Sequence, residues 1–157
     1  MAYIYPAPGV ANVQATLTMT ASAATGPITM PALQDITINN SNDVFTWTQL
    51  DSASKLQVAT TATNSLAMNC VLDEDTFFGN ASASAGSAAK LGVFGLSKDK
   101  TLVSFSLYMG DTSGGATGPT ITGSGYVTGL APTVSADAPV WVSPITLTVT
   151  GDYTVTL

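Results

Sequence analysis

The run Thr101-Leu102-Val103-Ser104-Phe105-Ser106-Leu107-Tyr108-Met109 alternates along its length. Val103, Phe105, Leu107 and Met109 fall on one side, and Ser104, Ser106 and Tyr108 on the other. Successive side chains of a β-strand point to opposite faces, so this stretch reads as a strand with one dry and one wet face. Gly110 to Pro119 follows as a glycine-rich tip, and Thr120 to Thr128 as the returning half of a hairpin.

The same pattern extends in both directions. Val13, Ala15, Leu17 and Met19 share a face in Val13 to Thr20, as do Ile36 and Ile38 in Asp35 to Asn39. Asn39-Asn40-Ser41-Asn42-Asp43 reads as a turn, because Asn and Asp bond their own backbone and tolerate the left-handed region. Val44 to Leu50 is a strand with Phe45 and Trp47 on one face. Leu66, Met68, Cys70 and Leu72 mark another, in which Cys70 is a small buried core residue. Val140 to Val142, Ile145 to Val149 and Tyr153 to Leu157 close the series, the last regular enough to be paired. The expectation is a mainly β chain: one antiparallel sandwich or barrel-like domain over 1–157, with 1–30 an N-terminal arm or strand.

Two stretches depart from alternation. Residues 51–64 are small and polar, and read as a long extended loop or a hairpin arm. Residues 82–96 are alanine-rich and predict a flanking helix. Gly86, Gly92 and Gly95 oppose it by roughly 0.5–1 kcal/mol each. The competing reading is a shorter helix followed by a strand over Leu91–Leu96.

Composition limits the chemistry. The 157 residues include no histidine, and Lys and Arg together number 4, all of them lysine: Lys55, Lys90, Lys98 and Lys100. Histidine-dependent triads and metal sites are therefore excluded. A formal charge of −6 and the shortage of cations argue against a protein that grips nucleic acid by its phosphates. One cysteine allows no internal disulfide. The N-terminus carries no signal-peptide pattern, and no apolar run is long enough to span a bilayer as a helix. Only 9% of residues are charged. Mixed charge is what usually keeps protein surfaces apart, so this composition fits a chain that buries its flanks against partners as well as a neutral-surfaced monomer.

Several motifs fail on context. Gly110-Asp111-Thr112-Ser113-Gly114-Gly115 resembles a serine-protease box but has no base to activate the serine. Gly123, Gly125 and Gly129 lie in a strand pattern with no following helix, so they are no dinucleotide fingerprint; small residues there let another backbone approach. Asp73-Glu74-Asp75 cannot all face one Ca²⁺. Asn39-Asn40-Ser41 and Asn80-Ala81-Ser82 are chance sequons without a signal peptide. No spacing singles out a carboxylate pair for catalysis. The chain is expected to be no enzyme and to need no cofactor or metal.

Two segments carry a resemblance. Asp35-Ile36-Thr37-Ile38 through Phe45-Thr46-Trp47-Thr48-Gln49-Leu50-Asp51-Ser52 is similar to the strand and Thr-x-Leu-Asp-Ser turn that open a long arm in the major tail proteins of long-tailed bacteriophages. Ile121-Thr122-Gly123-Ser124-Gly125-Tyr126-Val127-Thr128-Gly129-Leu130, then Ala136-Asp137-Ala138-Pro139-Val140, then Leu147-Thr148-Val149-Thr150-Gly151, resembles that family's ending. The order of elements over 35–157 fits as well, while 1–30 match nothing in the family.

The resemblance implies two packed antiparallel sheets, a flanking helix and a structural role in the virion tail after assembly in the host cytoplasm. Copies of the chain would form six-membered rings stacked into a tube, with tape-measure and tail-terminator proteins as further partners. DNA would pass through without specific binding, and no membrane is involved. Trp47, Leu50, Asp51, Lys55, Leu56 and Val58 on the arm, with Tyr3 and Tyr5, become candidates for contact between subunits. Ser104, Ser106, Thr120, Thr122 and Ser124 become candidates for positions near the channel. The alternative is a β-sandwich module decorating a capsid or fibre, since short strands and turns fit it equally.

Overall fold

Alternation in sequence becomes alternation in burial. The computed structural model describes residues 13–21, 26–30, 33–51, 54–111, 118–137 and 139–157. Its strands are β1 (Val13–Ala21), β2 (Ile28–Thr29), β3 (Leu33–Trp47), β4 (Leu56–Val71), β5 (Val103–Asp111), β6 (Thr120–Leu130), β7 (Val142–Val149) and β8 (Thr154–Thr156). Two helices, α1 (Glu74–Phe77) and α2 (Ala88–Lys98), lie between β4 and β5. All pairings are antiparallel, in the order β2-β1-β5-β6-β7-β4-β3, with β8 also on β6.

Strand β6 organises the sheet. One flank pairs with β5, from Tyr108↔Thr120 to Val103↔Gly125. On the other flank, Thr120–Thr122 pair with β8, whereas Gly125–Leu130 pair with β7. The sheet is thereby divided into two wings, β2-β1-β5-β6-β8 and β6-β7-β4-β3. Gly125 stands where they meet, and a Cβ there would lie 2.3 Å from the Thr148 carbonyl oxygen. The close backbone approach expected for the small residues of this strand is therefore present.

The buried residues of both wings form a single cluster. Met19, Val103, Phe105, Leu107 and Ile121 come from one wing; Leu66, Met68, Cys70, Val127, Ile145 and Leu147 come from the other. Phe77, Ala88, Val93 and Leu96 of the helices join them. Two sheet faces closing on one apolar core, with helices at the side, is the layered arrangement expected from the sequence.

Three local expectations need correction. The helix begins later than residue 82, at an N-cap formed by Ser87, whose Oγ accepts from the Lys90 N–H at 3.2 Å. It runs on to Lys98, so there is no strand at 91–96. Gly92 breaks it at φ 66°, where an added Cβ would lie 2.4 Å from the Gly79 nitrogen, so the kink seats α2 against the end of α1. After β4 ends at Val71, the Asp73 side chain caps α1 by accepting from the Thr76 N–H.

Second, Asn39–Asp43 is no turn but the middle of β3, with Asn39–Asn42 laddered residue by residue onto β4 and Asp43 at a bulge. Third, 51–64 is mostly strand: β4 starts at Leu56, which makes the hairpin arm, not the loop, the correct reading. Cross-strand pairing outweighs local turn preference here, and within the arm the irregularity is confined to a β-bulge. Between Asn42↔Ala62 and Val44↔Ala59, Thr60 and Thr61 oppose Asp43 alone. Both hydroxyls donate to Asp43, Thr60 to its carbonyl at 3.1 Å and Thr61 to its carboxylate at 3.4 Å. In the N-terminal region, residues 13–21 are a strand inside the sheet. Tyr3 and Tyr5 lie outside the described residues.

Cys70 is buried, its Sγ 3.9 Å from the Ser143 carbonyl. Burial disfavours the thiolate and pushes the thiol pKa from 9.0 up to about 11. The unfolded thiol loses its proton first as pH rises, so this contribution to stability is complete below pH 9.0 and lost through about pH 11. Denaturant titrations across this window should show a steeper loss of stability for the wild type than for Cys70→Ala. At neutral pH a maleimide should label Cys70 only in denaturant.

Candidate assembly surfaces

Beyond Asn64 the β3–β4 hairpin leaves the body. Strand β7 pairs with β4 only over Ser65–Val71, so from Asn40↔Asn64 to Trp47↔Leu56 the two strands pair only with each other among the described residues. Burial changes at the same point: Asn64, Leu66, Met68 and Cys70 are buried, while residues 57–63 are all exposed. The free ribbon extends for about 25 Å at the usual strand rise. Asn40 at its root donates to the Tyr153 hydroxyl at 2.9 Å, tying the arm to the segment before β8.

The register gives the arm one apolar face. Phe45↔Val58 and Trp47↔Leu56 are direct cross-strand pairs two residues apart, so all four share a side. Phe45 and Trp47 stack with ring centroids 5.8 Å apart. Phe45 is 59% exposed and Val58 49%. At the tip, Leu50 is fully exposed, with Asp51 and Lys55 exposed beside it in the connecting turn. The structure thus gathers Trp47, Leu50, Asp51, Lys55, Leu56 and Val58 at the distal end of one projecting element. A two-stranded ribbon alone is marginal in water, and this one spends its aromatic residues on a face the subunit itself leaves uncovered.

The second surface is the outer face of the other wing. Ser104↔Ser124, Ser106↔Thr122 and Tyr108↔Thr120 are opposite pairs, so the five channel candidates lie together. Neighbouring strands extend the rows: Thr20↔Ser104 and Thr18↔Ser106 from β1, Thr154↔Thr122 and Thr156↔Thr120 from β8. The alternate residues Met19, Phe105, Leu107 and Ile121 point to the core. The result is a lattice of hydroxyls with no charged side chain among those rows.

Sequence reasoning missed the third feature, the long open edge. Strand β3 has a sheet partner on one flank only, among the described residues, over 15 residues. A turn placed at 39–43 hid it. Edges of this length are templates for a further strand unless covered. No group of three or more His, Cys, Asp or Glu that could hold a metal ion occurs among the described residues. No helix among them is long and apolar enough to cross a membrane.

No protein-family model matches the chain, and no curated protein does. Solved structures do. A chain of the anti-feeding prophage baseplate, six-fold symmetrised, aligns with a TM-score of 0.64 over 96% of this chain and 96% of its own, at 12% identity. A chain from the tail of an empty gene transfer agent particle, refined helically with C6 symmetry, gives 0.63 over 91% and 96%, at 12% identity. The SPP1 tail tube gives 0.62 over 90% of this chain and 76% of that one, at 8% identity. The chain therefore has the fold found in phage tail tubes and related particles.

Because the arm's apolar face contributes little to the isolated subunit, Phe45→Ser combined with Val58→Ser should change its stability by less than about 1 kcal/mol in denaturant titration. A large loss would mean the face is covered within the monomer.

Proposed function

We propose that this protein is the tube subunit of a phage-type tail, self-assembling into stacked rings that form a channel for DNA. The observation carrying this reading is the free two-stranded arm, an apolar ribbon built onto a fold shared with tail tubes. Ordering such a ribbon is favourable when a neighbour covers it. The open flank of β3 fits the same need, since closing a sheet around a ring removes its edges. The proposed inter-subunit residues are Trp47, Leu50, Asp51, Lys55, Leu56 and Val58.

The hydroxyl wing, with Ser104, Ser106, Thr120, Thr122 and Ser124, is proposed to face the channel. Affinity for DNA comes largely from lysine and arginine releasing counterions from phosphates. A wall of neutral hydroxyls keeps water bound without holding the duplex. The role is structural, without catalysis, and tape-measure and terminator proteins are its expected further partners in the tail.

Electron microscopy of the purified protein tests the assembly: rings or hollow tubes are expected, and a monomer at high concentration would refute it. Asn42 and Ala62 are paired, so replacing residues 43–61 with Asn-Gly gives a two-residue hairpin turn at the arm's root. That variant should keep the circular dichroism of the body and form no tubes. For the channel face, Thr122→Cys in assembled tubes should react with a small maleimide and resist a bulky polymer-linked one. Equal reaction with both would place this face outside.

A further inference from the structure

At the end of β4 opposite the arm tip, Leu72, Phe78, Pro132 and Trp141 line a cleft of about 470 Å³ with Asp73 and Glu74 on its wall. Its frame is fixed by backbone bonds. The Leu72 N–H donates to the Trp141 carbonyl at 2.9 Å, and Val142 and Thr133 exchange N–H···O bonds at 2.9 and 2.8 Å. Phe78 packs edge-on against Phe77 of the core. Yet Phe78 remains 64% exposed and Trp141 53%. Two large aromatic side chains on a fixed backbone frame are thus left largely uncovered, beside two carboxylates.

The occupant this cleft suits is an apolar side chain accompanied by a cation. The chain offers four cations. Lys90 is engaged with the Ala81 carbonyl, and Lys98 and Lys100 sit at the end of α2. Lys55 is the lysine on a projecting element, with a fully exposed leucine, Leu50, and its neighbour Asp51 across the same turn; the long lysine side chain reaches past Asp51 to carboxylates of a partner. Resting on the tube reading above, we infer that the arm tip of one copy, through Leu50 and Lys55, docks in the Leu72–Phe78–Trp141 cleft of the next.

Geometry makes the contact intermolecular. Tip and cleft lie at opposite ends of the 16-residue β4, roughly 50 Å apart at the strand rise. A subunit cannot fill its own cleft. Contacts between two different patches are head-to-tail and propagate from copy to copy. Lys55 then neutralises carboxylates that would otherwise be buried against each other. Glu74 is the better partner, because Asp73 already caps α1.

The test uses the full chain. Lys55→Glu and Glu74→Lys should each raise the concentration needed for tube growth at low salt by at least about tenfold, and the double charge swap should restore it. Under mild oxidation, Leu50→Cys with Trp141→Cys should give ladders of cross-linked copies. The control pair Leu50→Cys with Val155→Cys should not, and the buried Cys70 does not compete. Tubes that grow normally from Lys55→Glu, with no cross-linked ladder, would overturn the cleft while leaving the tube reading intact. A wild type that forms no rings or tubes would overturn both.

Discussion

On one flank of β6 the partner changes midway, β8 covering Thr120–Thr122 and β7 taking Gly125–Leu130. The rest of the architecture depends on that change. A sheet with one set of partners throughout would leave its apolar face open. Here the two halves of β6 carry separate wings, and the apolar faces of both wings meet in one core. The exchange needs backbones closer than a side chain allows, which Gly125 permits against Thr148. Once the wings face each other, each has one face for the core and one for the exterior. The hydroxyl lattice and the arm are therefore assigned to different wings by the same bend.

That separation matters because the surfaces have opposite requirements. The arm presents aromatic and aliphatic groups, which bury well and bind without directional chemistry. The hydroxyl wing presents groups that stay hydrated and carry no charge. Low charge overall, which in a free monomer invites association, would serve both surfaces in the proposed tube: it would let the arm approach a neighbour with little like-charge repulsion and leave the hydroxyl wing indifferent to phosphates.

The strands with one buried face were legible because burial enforces alternation. Val103, Phe105 and Leu107, or Leu66, Met68 and Cys70, have their period written in residue type. The arm was harder for the same reason. Residues 57–63 are exposed on both sides, so no apolar period marks them, and Asn39–Asp43 has the composition of a turn. Only the ladder between β3 and β4, a non-local interaction, makes those segments strands. The start of α2 was misplaced because Ala83 and Ala85 favour helix locally, whereas the cap at Ser87 decides where it begins. Of the surfaces, the clustering of Ser104 with Ser124 was readable from alternation plus hairpin pairing, whereas Trp47, Leu56 and Val58 were singled out by the resemblance and are brought together only by the β3–β4 register. The cleft at Phe78 and Trp141 was not, because its walls are joined only in three dimensions.

The placement of arm and cleft at opposite ends of β4 gives any stack built on their union a polarity. One terminus displays unoccupied ribbons, and the other displays empty aromatic clefts. Their chemistries differ, so a protein that seals one end has no reason to recognise the other. Initiation and capping can then be assigned to different molecules without any symmetry-breaking change in the repeating unit, and the column's direction is set by its first layer.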